Sequence, residues 1–383
     1  MDNSTSDLGF DPTAANLTDL DPRTIICYLQ YADNEYDGPI GLRVSAIFVI
    51  LVTSCFTTLF PVLATRVPKL RIPLYVYLFA RYFGAGVIVA TAFVHLLDPA
   101  YQAIGPQTCV GMTGHWADYS WVPAIAMASG LIVFFMDFAA ERYVEKKYGL
   151  GHSHGTEVAT QTGSVDAAAV RYTTGHQYMH SGEADGTLNR ATHADKSESV
   201  EAGELSSLDL EKERLADISF QQQIAAFLIL EFGVLFHSVI IGLALASAAW
   251  DEFIVLYPVI VFHQAFEGMG IGARLSAIQF PRALGRWAPW LLCLAYGFST
   301  PIAIAIGLGV RETYNESSYN TSIVTGLLNS ISAGILIYAG FVELLARDFL
   351  FNPDRTRDDK QLTFMAICVL LGAGIMALLG KWA

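Results

Sequence analysis

His237 and His263, with Glu267 four residues after the second, stand inside two long apolar runs of this 383-residue chain. Ionisable side chains at bilayer depth are costly unless paired or coordinated, so they mark a functional site facing the interior of a helix bundle. Neutral imidazole nitrogen and carboxylate oxygen are borderline ligands, and together they suit a divalent first-row ion such as zinc or ferrous iron. His263 and Glu267 share a helix face. Ser238 and Gln264 flank the cluster, either as added oxygen ligands or as hydrogen-bond partners of the ligands. The competing reading is that the imidazoles bond to neighbouring helices and merely hold the bundle together. A short turn around Trp250 joins the two runs, and His237 and His263 are each thirteen residues from it. At ~1.5 Å per residue both then lie ~20 Å deep and level with one another, an agreement that favours a shared ion.

The elements that must hold these groups are membrane helices. The chain is 53% hydrophobic and 15% charged, with a mean hydropathy of +0.41, too apolar for a water-soluble globule of this length. Runs near the length a bilayer core requires, about twenty residues, fall at 44–65, 74–97, 121–140, 220–249, 253–273, 287–310, 322–342 and 361–380. The expected fold is an all-α integral membrane protein of eight transmembrane helices. Basic residues gather between spans 1 and 2 (Arg66, Lys69, Arg71), after span 3 (Arg142, Lys146, Lys147), between spans 5 and 6 (Arg274, Arg282, Arg286) and between spans 7 and 8 (Arg347, Arg355, Arg357, Lys360). The positive-inside rule makes these loops cytosolic and both termini extracellular. Acceptor sequons at Asn3, Asn16, Asn315 and Asn320 all fall on the outer side of that scheme, which makes them glycosylation candidates.

The chain thus divides into five regions: an acidic extracellular segment, 1–42; spans 1–3, 43–140; a cytosolic loop, 141–217; spans 4 and 5 with the metal site, 218–275; and spans 6–8, 276–383. The first forty residues lack the pattern of a cleavable signal. The cytosolic loop is rich in small and polar residues and is expected to be disordered. It carries His152 and His154 in Gly151-His152-Ser153-His154-Gly155, a short histidine tract that binds metal weakly or does nothing. Cys27 and Cys109 both fall outside, which leaves a disulfide between them open, while Cys55, Cys293 and Cys368 lie within spans.

The strings Phe236-His237-Ser238-Val239-Ile240-Ile241-Gly242 and Phe262-His263-Gln264-Ala265-Phe266-Glu267-Gly268, supported by Ala90-Thr91-Ala92-Phe93-Val94-His95-Leu96-Leu97-Asp98, resemble the ZIP family of zinc and iron permeases, its fungal plasma-membrane members above all. The resemblance covers about residues 40–383. It implies a ZIP-type bundle, a primary metal site of His237, His263 and Glu267, and Zn2+ as transported substrate, with Fe2+ or other divalent ions also fitting. It further implies movement of the site helices against a scaffold, and a homodimer. The lipid bilayer is the surrounding partner, and no nucleic acid is expected. Where some relatives place a bridging acid this chain has Ile241, and Phe298-Ser299-Thr300-Pro301 offers hydroxyls in place of a carboxylate, so one tight site is expected.

The remaining intramembrane acids trace a route. Asp98 at the outer end of span 2, with His95 one turn below facing the same way, would collect the cation. Asp137, Glu231 and Glu343 in the inner half would release it, unless they pair with bundle cations such as Arg81. Pro301 and Gly84, Gly86, Gly326, Gly334 and Gly340 permit close helix contacts. The function expected is uptake of a divalent ion, most simply zinc, into the cytosol by alternating access. No phosphate-binding glycine loop points to ATP hydrolysis. The alternatives are an intramembrane zinc-dependent hydrolase, for which His-Glu-x-x-His is absent, and a metal-sensing receptor. No enzyme activity is expected.

Overall fold

The structure is a computed structural model, and it describes residues 21–30, 38–67, 72–148, 197–281, 287–310, 318–351 and 356–382. Among these residues the architecture is all helical. A short helix, α1 (Pro22–Gln30), precedes α2 (Ile40–Arg66) and α3 (Leu74–Ala90). The latter continues without a break through a π-helical stretch, Thr91–Leu97, into α4 (Asp98–Ile104). Next come α5 (Trp121–Tyr148), α6 (Ser197–Ser247), α7 (Trp250–Ala277), α8 (Ala288–Val310), α9 (Tyr319–Tyr338) and α10 (Asp359–Leu379). α9 also runs on as π-helix, over Ala339–Phe351. Eight of these rods are long and apolar enough to cross a membrane, and they coincide with the eight runs read from the sequence.

Helices are the form lipid allows, because each satisfies its own backbone groups. At the polar ends, Ser318 caps α9 by accepting from the Thr321 amide at 3.3 Å, and Asp358 caps α10 by accepting from Lys360 at 3.0 Å. The reverse turn between α6 and α7 is only Ala248-Ala249, and it is held by a residue that sequence reasoning passed over. Arg43 of α2 is fully buried. Its guanidinium donates to Ala246 O at 3.1 Å and Ala248 O at 2.7 Å, and it lies 4.7 Å over the Phe253 ring. It thereby satisfies carbonyls that the end of α6 leaves without helical donors.

The rods form two sets. α2 packs on α7 and α8, and α6 packs on α8; in the other set α3 packs on α10, and α4 and α5 pack on α9. The sets meet along two seams, α3 against α7 and α6 against α9. At the first, backbones touch: a Cβ added to Gly84 would fall on the main chain of Gly270, a contact only glycine permits.

Two departures from the sequence reading matter. The second span extends to Ile104 and the seventh to Phe351, past the 97 and 342 expected, because each continues as a π-helix whose polar residues are covered by neighbours. The segment 141–217 is helical at both ends, since α5 runs to Tyr148 and α6 begins at Ser197, where Ala, Glu, Leu and Lys favour helix. His152 and His154 lie outside the described residues, as do Asn3, Asn16 and Asn315. Cys27 and Cys109 form a disulfide across 82 residues, tying α1 to the segment after α4.

Candidate metal centre

α6 delivers His237 and α7 delivers His263 and Glu267, each one nearly inaccessible, with exposures of 1%, 1% and 0%. The two imidazoles meet Nε2 to Nε2 at 3.2 Å. His263 Nε2 lies 3.2 Å from Glu267 Oε1, and His237 Nε2 lies 4.0 Å from the same oxygen. A tetrahedral ion with bonds of about 2.0–2.1 Å to nitrogen and oxygen separates its ligand atoms by roughly 3.3–3.4 Å. Two sides of the triangle therefore already match an edge of that tetrahedron, and the third is slightly open. Among the described residues this is the one group of three or more His, Cys, Asp or Glu whose ligand atoms all lie within 4.8 Å of one another.

The surroundings aim these groups and leave coordinating capacity free. Thr91 Oγ1, at the start of the π-helical stretch, is 3.0 Å from Glu267 Oε1 and 3.0 Å from Val87 O. Gln264, read as a possible ligand, has its Oε1 engaged by Tyr296 OH at 3.1 Å and approached by Ser54 Oγ at 3.5 Å. It therefore braces α7 against α8 and α2. Ser238, the other flanking candidate, is buried and follows His237 by one position, about 100° around the helix. Ile241 packs against the apolar cluster that includes Leu245, Phe253 and Ile304. Thr300 is buried, and Ser299 donates to Tyr296 O at 2.7 Å. Within the described residues, His237 Nδ1, Ser238 Oγ, Gln264 Nε2, Glu267 Oε2 and Thr300 Oγ1 have no hydrogen-bond partner. A purely structural polar cluster would leave few such atoms buried.

His95 and Asp98, expected to face the same way, do not. His95 is buried, its ring 4.8 Å from that of His263, and its Nε2 lies 3.1 Å from Met376 O. Asp98 is exposed and accepts from Gln102 at 2.8 Å. The π-helix is the cause: an i→i+5 helix advances roughly 80° per residue, so positions three apart are turned about 120° from each other and no longer share a face. His95 thus belongs to the level of the cluster, and Asp98 to the surface.

Two of the three acids expected in the inner half are paired. Asp137 accepts from Tyr338 OH at 2.8 Å. Glu343, only 3% exposed, meets Arg347 at 2.7 Å and Arg274 at 3.5 Å. Arg81 does have an acid partner, but it is Asp348, held at 3.0 and 2.8 Å. Glu231 differs: its Oε2 is buried and has no hydrogen-bond partner among the described residues. Asn320, the one sequon described, is exposed at the second position of α9.

A profile of the family described as ZIP Zinc transporter matches residues 40–380. The chain is 54% identical to Zinc-regulated transporter 1 of Saccharomyces cerevisiae, covering 98% of this chain and 97% of that protein. It is 40% identical to Zinc-regulated transporter 1 of Schizosaccharomyces pombe, covering 91% and 87%, and 31% identical to Zinc transporter 9 of Oryza sativa, covering 93% and 94%. This chain, with eight helices among its described residues long and apolar enough to span a membrane, belongs to the ZIP zinc transporter family.

Proposed function

We propose that this transporter moves Zn2+ from outside the cell into the cytosol across the plasma membrane, by alternating access and without ATP hydrolysis, using His237, His263 and Glu267 as ligands. One observation carries the reading: two imidazoles and a carboxylate from two helices converge at tetrahedral spacing, buried where the two helix sets meet. An ion held there touches neither face, so it can pass only if the sets shift. Glu231, with its free carboxylate oxygen, is the first acceptor on the inner side, while Glu343 becomes available when its arginines withdraw. A homodimer through the set containing α5 and α10, and weak metal sensing by His152 and His154, complete the proposal.

Labelled-zinc uptake into proteoliposomes without ATP tests it. We expect uptake by the natural chain, its loss in the His237→Ala/His263→Ala variant, and stronger competition by cadmium or ferrous iron than by manganese. Uptake that survives the double substitution would refute the ligand set. Orientation has its own test: a glycan on Asn320, lost in Asn320→Gln, places the start of α9 outside, whereas an Asn320→Cys variant that a membrane-impermeant thiol reagent labels only after permeabilisation reverses the direction.

A further inference from the structure

We infer that Ser332 and Asn329 of α9 line the approach to the metal cluster with oxygen, Asn329 as a group that a partly hydrated dication meets before the histidines and Ser332 as one that it meets beside His237. Both are buried, with 0% and 2% exposure, and both carry an oxygen, Ser332 Oγ and Asn329 Oδ1, with no hydrogen-bond partner among the described residues. Such atoms in an apolar seam are costly, and an oxygen that accepts from no donor is suited to a cation or to its water.

Helix register places them. A Cβ on Gly233 of α6 would lie 3.0 Å from Ile335 and against Leu336 of α9, so the α9 face between those two residues is the one that meets α6. Ser332 lies on that face, one turn toward the start of α9. His237 lies one turn from Gly233 in the same direction, on the same side of α6, because the helices are antiparallel. Ser332 is therefore level with His237, whose Nδ1 is also unpartnered. Asn329 sits about 4.5 Å nearer the start of α9, on the side turned toward α4, since Gly326 close by meets Ile104. The α9 start is the extracellular side in the proposed orientation, and the inference rests on that reading. An amide and a hydroxyl strip water without holding the ion as firmly as a carboxylate would, so they govern capture and choice of ion more than the rate of movement.

The test is labelled-zinc uptake at equal amounts of folded transporter, with manganese and cadmium as competitors. Ser332→Ala and Asn329→Leu are each expected to raise the KM for zinc roughly tenfold, as expected for loss of one contact to a charged group, with kcat little changed. Asn329→Asp should lower KM and shift preference toward manganese, which favours oxygen. Ser332→Cys should shift it toward cadmium and react with a small external thiol reagent, with zinc protecting. Unchanged KM and ion preference in the Asp and Cys variants would overturn the inference, as would kcat falling with KM constant, the mark of damaged packing. A natural chain that takes up no zinc, or one indifferent to loss of His237, would instead overturn the proposed function itself.

Discussion

Thr91 separates the ligand from the group that aims it. Its hydroxyl reaches Glu267 Oε1 at 3.0 Å, and a carboxylate has about four lone-pair sites, so the hydroxyl can remain in place while a cation occupies another. Outer-shell partners of this kind typically contribute 10–100-fold in metal affinity. Thr91→Val should accordingly raise the KM for zinc by about that factor, with Thr91→Ser recovering most of it, read from uptake at matched protein levels. Equal KM in the Val variant would mean that Val87 O, also 3.0 Å away, is the hydroxyl's real partner. The histidines and Glu267 were legible in the sequence because their types are out of place in lipid. Thr91 and Tyr296 were not, because span hydroxyls are ordinary and most serve their own backbone, as Thr58 does by donating to Ser54 O at 2.7 Å. Gln264 shows what adjacency in sequence leaves open: its Oε1 is engaged by Tyr296 OH at 3.1 Å, in a supporting position between helices.

At the scale of the element, hydropathy reveals where a helix runs but not how it is wound. All eight spans were legible because lipid imposes one length and one composition. The π-helical stretches were not, since nothing in the composition of Thr91–Leu97 or Ala339–Phe351 tells π winding from α, their His95, Glu343, Arg347 and Asp348 included, and each re-aims the residues beyond it. The first moves Asp98 away from His95. The second carries span 7 far enough for Asp348 to reach Arg81 and for Glu343 to meet Arg274. The latter pair joins α7, which bears two ligands, to the opposite helix set, on the side of the site away from the α6–α7 turn. Removing one partner of such a buried pair costs about 3–5 kcal/mol, here reduced by the 17% exposure of Arg274 and the relief that Arg347 offers Glu343. Arg274→Glu and Glu343→Arg should each lower thermal stability in detergent and zinc uptake, and the exchanged double variant should regain part of both. No recovery in the double variant would mean that Arg347, at 2.7 Å, is the partner that matters.

For the whole molecule, the division into two helix sets makes a mechanical statement. His237, His263 and Glu267 all ride on one set, while Thr91, His95 and Ser332 belong to the other, so any shift at the seams changes what surrounds the ion without dismantling its ligands. The glycines fit that division: Gly84 and Gly270 bring backbone against backbone at one seam, and Gly233 lets α6 close on α9 at the other. A crosslink placed across the second seam should therefore stop transport. A Cβ on Gly233 would lie 3.3 Å from Ile335 Cβ, close to the roughly 3.5–4.5 Å that a disulfide spans, so the pair Gly233→Cys/Ile335→Cys should bridge with little rearrangement. We expect the oxidised double variant to bind zinc yet show background uptake, and mild reduction to restore it. The natural chain, whose Cys27–Cys109 bond sits at the far end of α1, should transport through the same oxidation and reduction. Since the reduced double variant carries the same side chains, the ratio of reduced to oxidised uptake isolates motion from packing. A ratio of one, with the bridge confirmed by mass spectrometry, would mean that zinc crosses without relative movement of α6 and α9, and the shift would then have to lie within the set that carries the ligands.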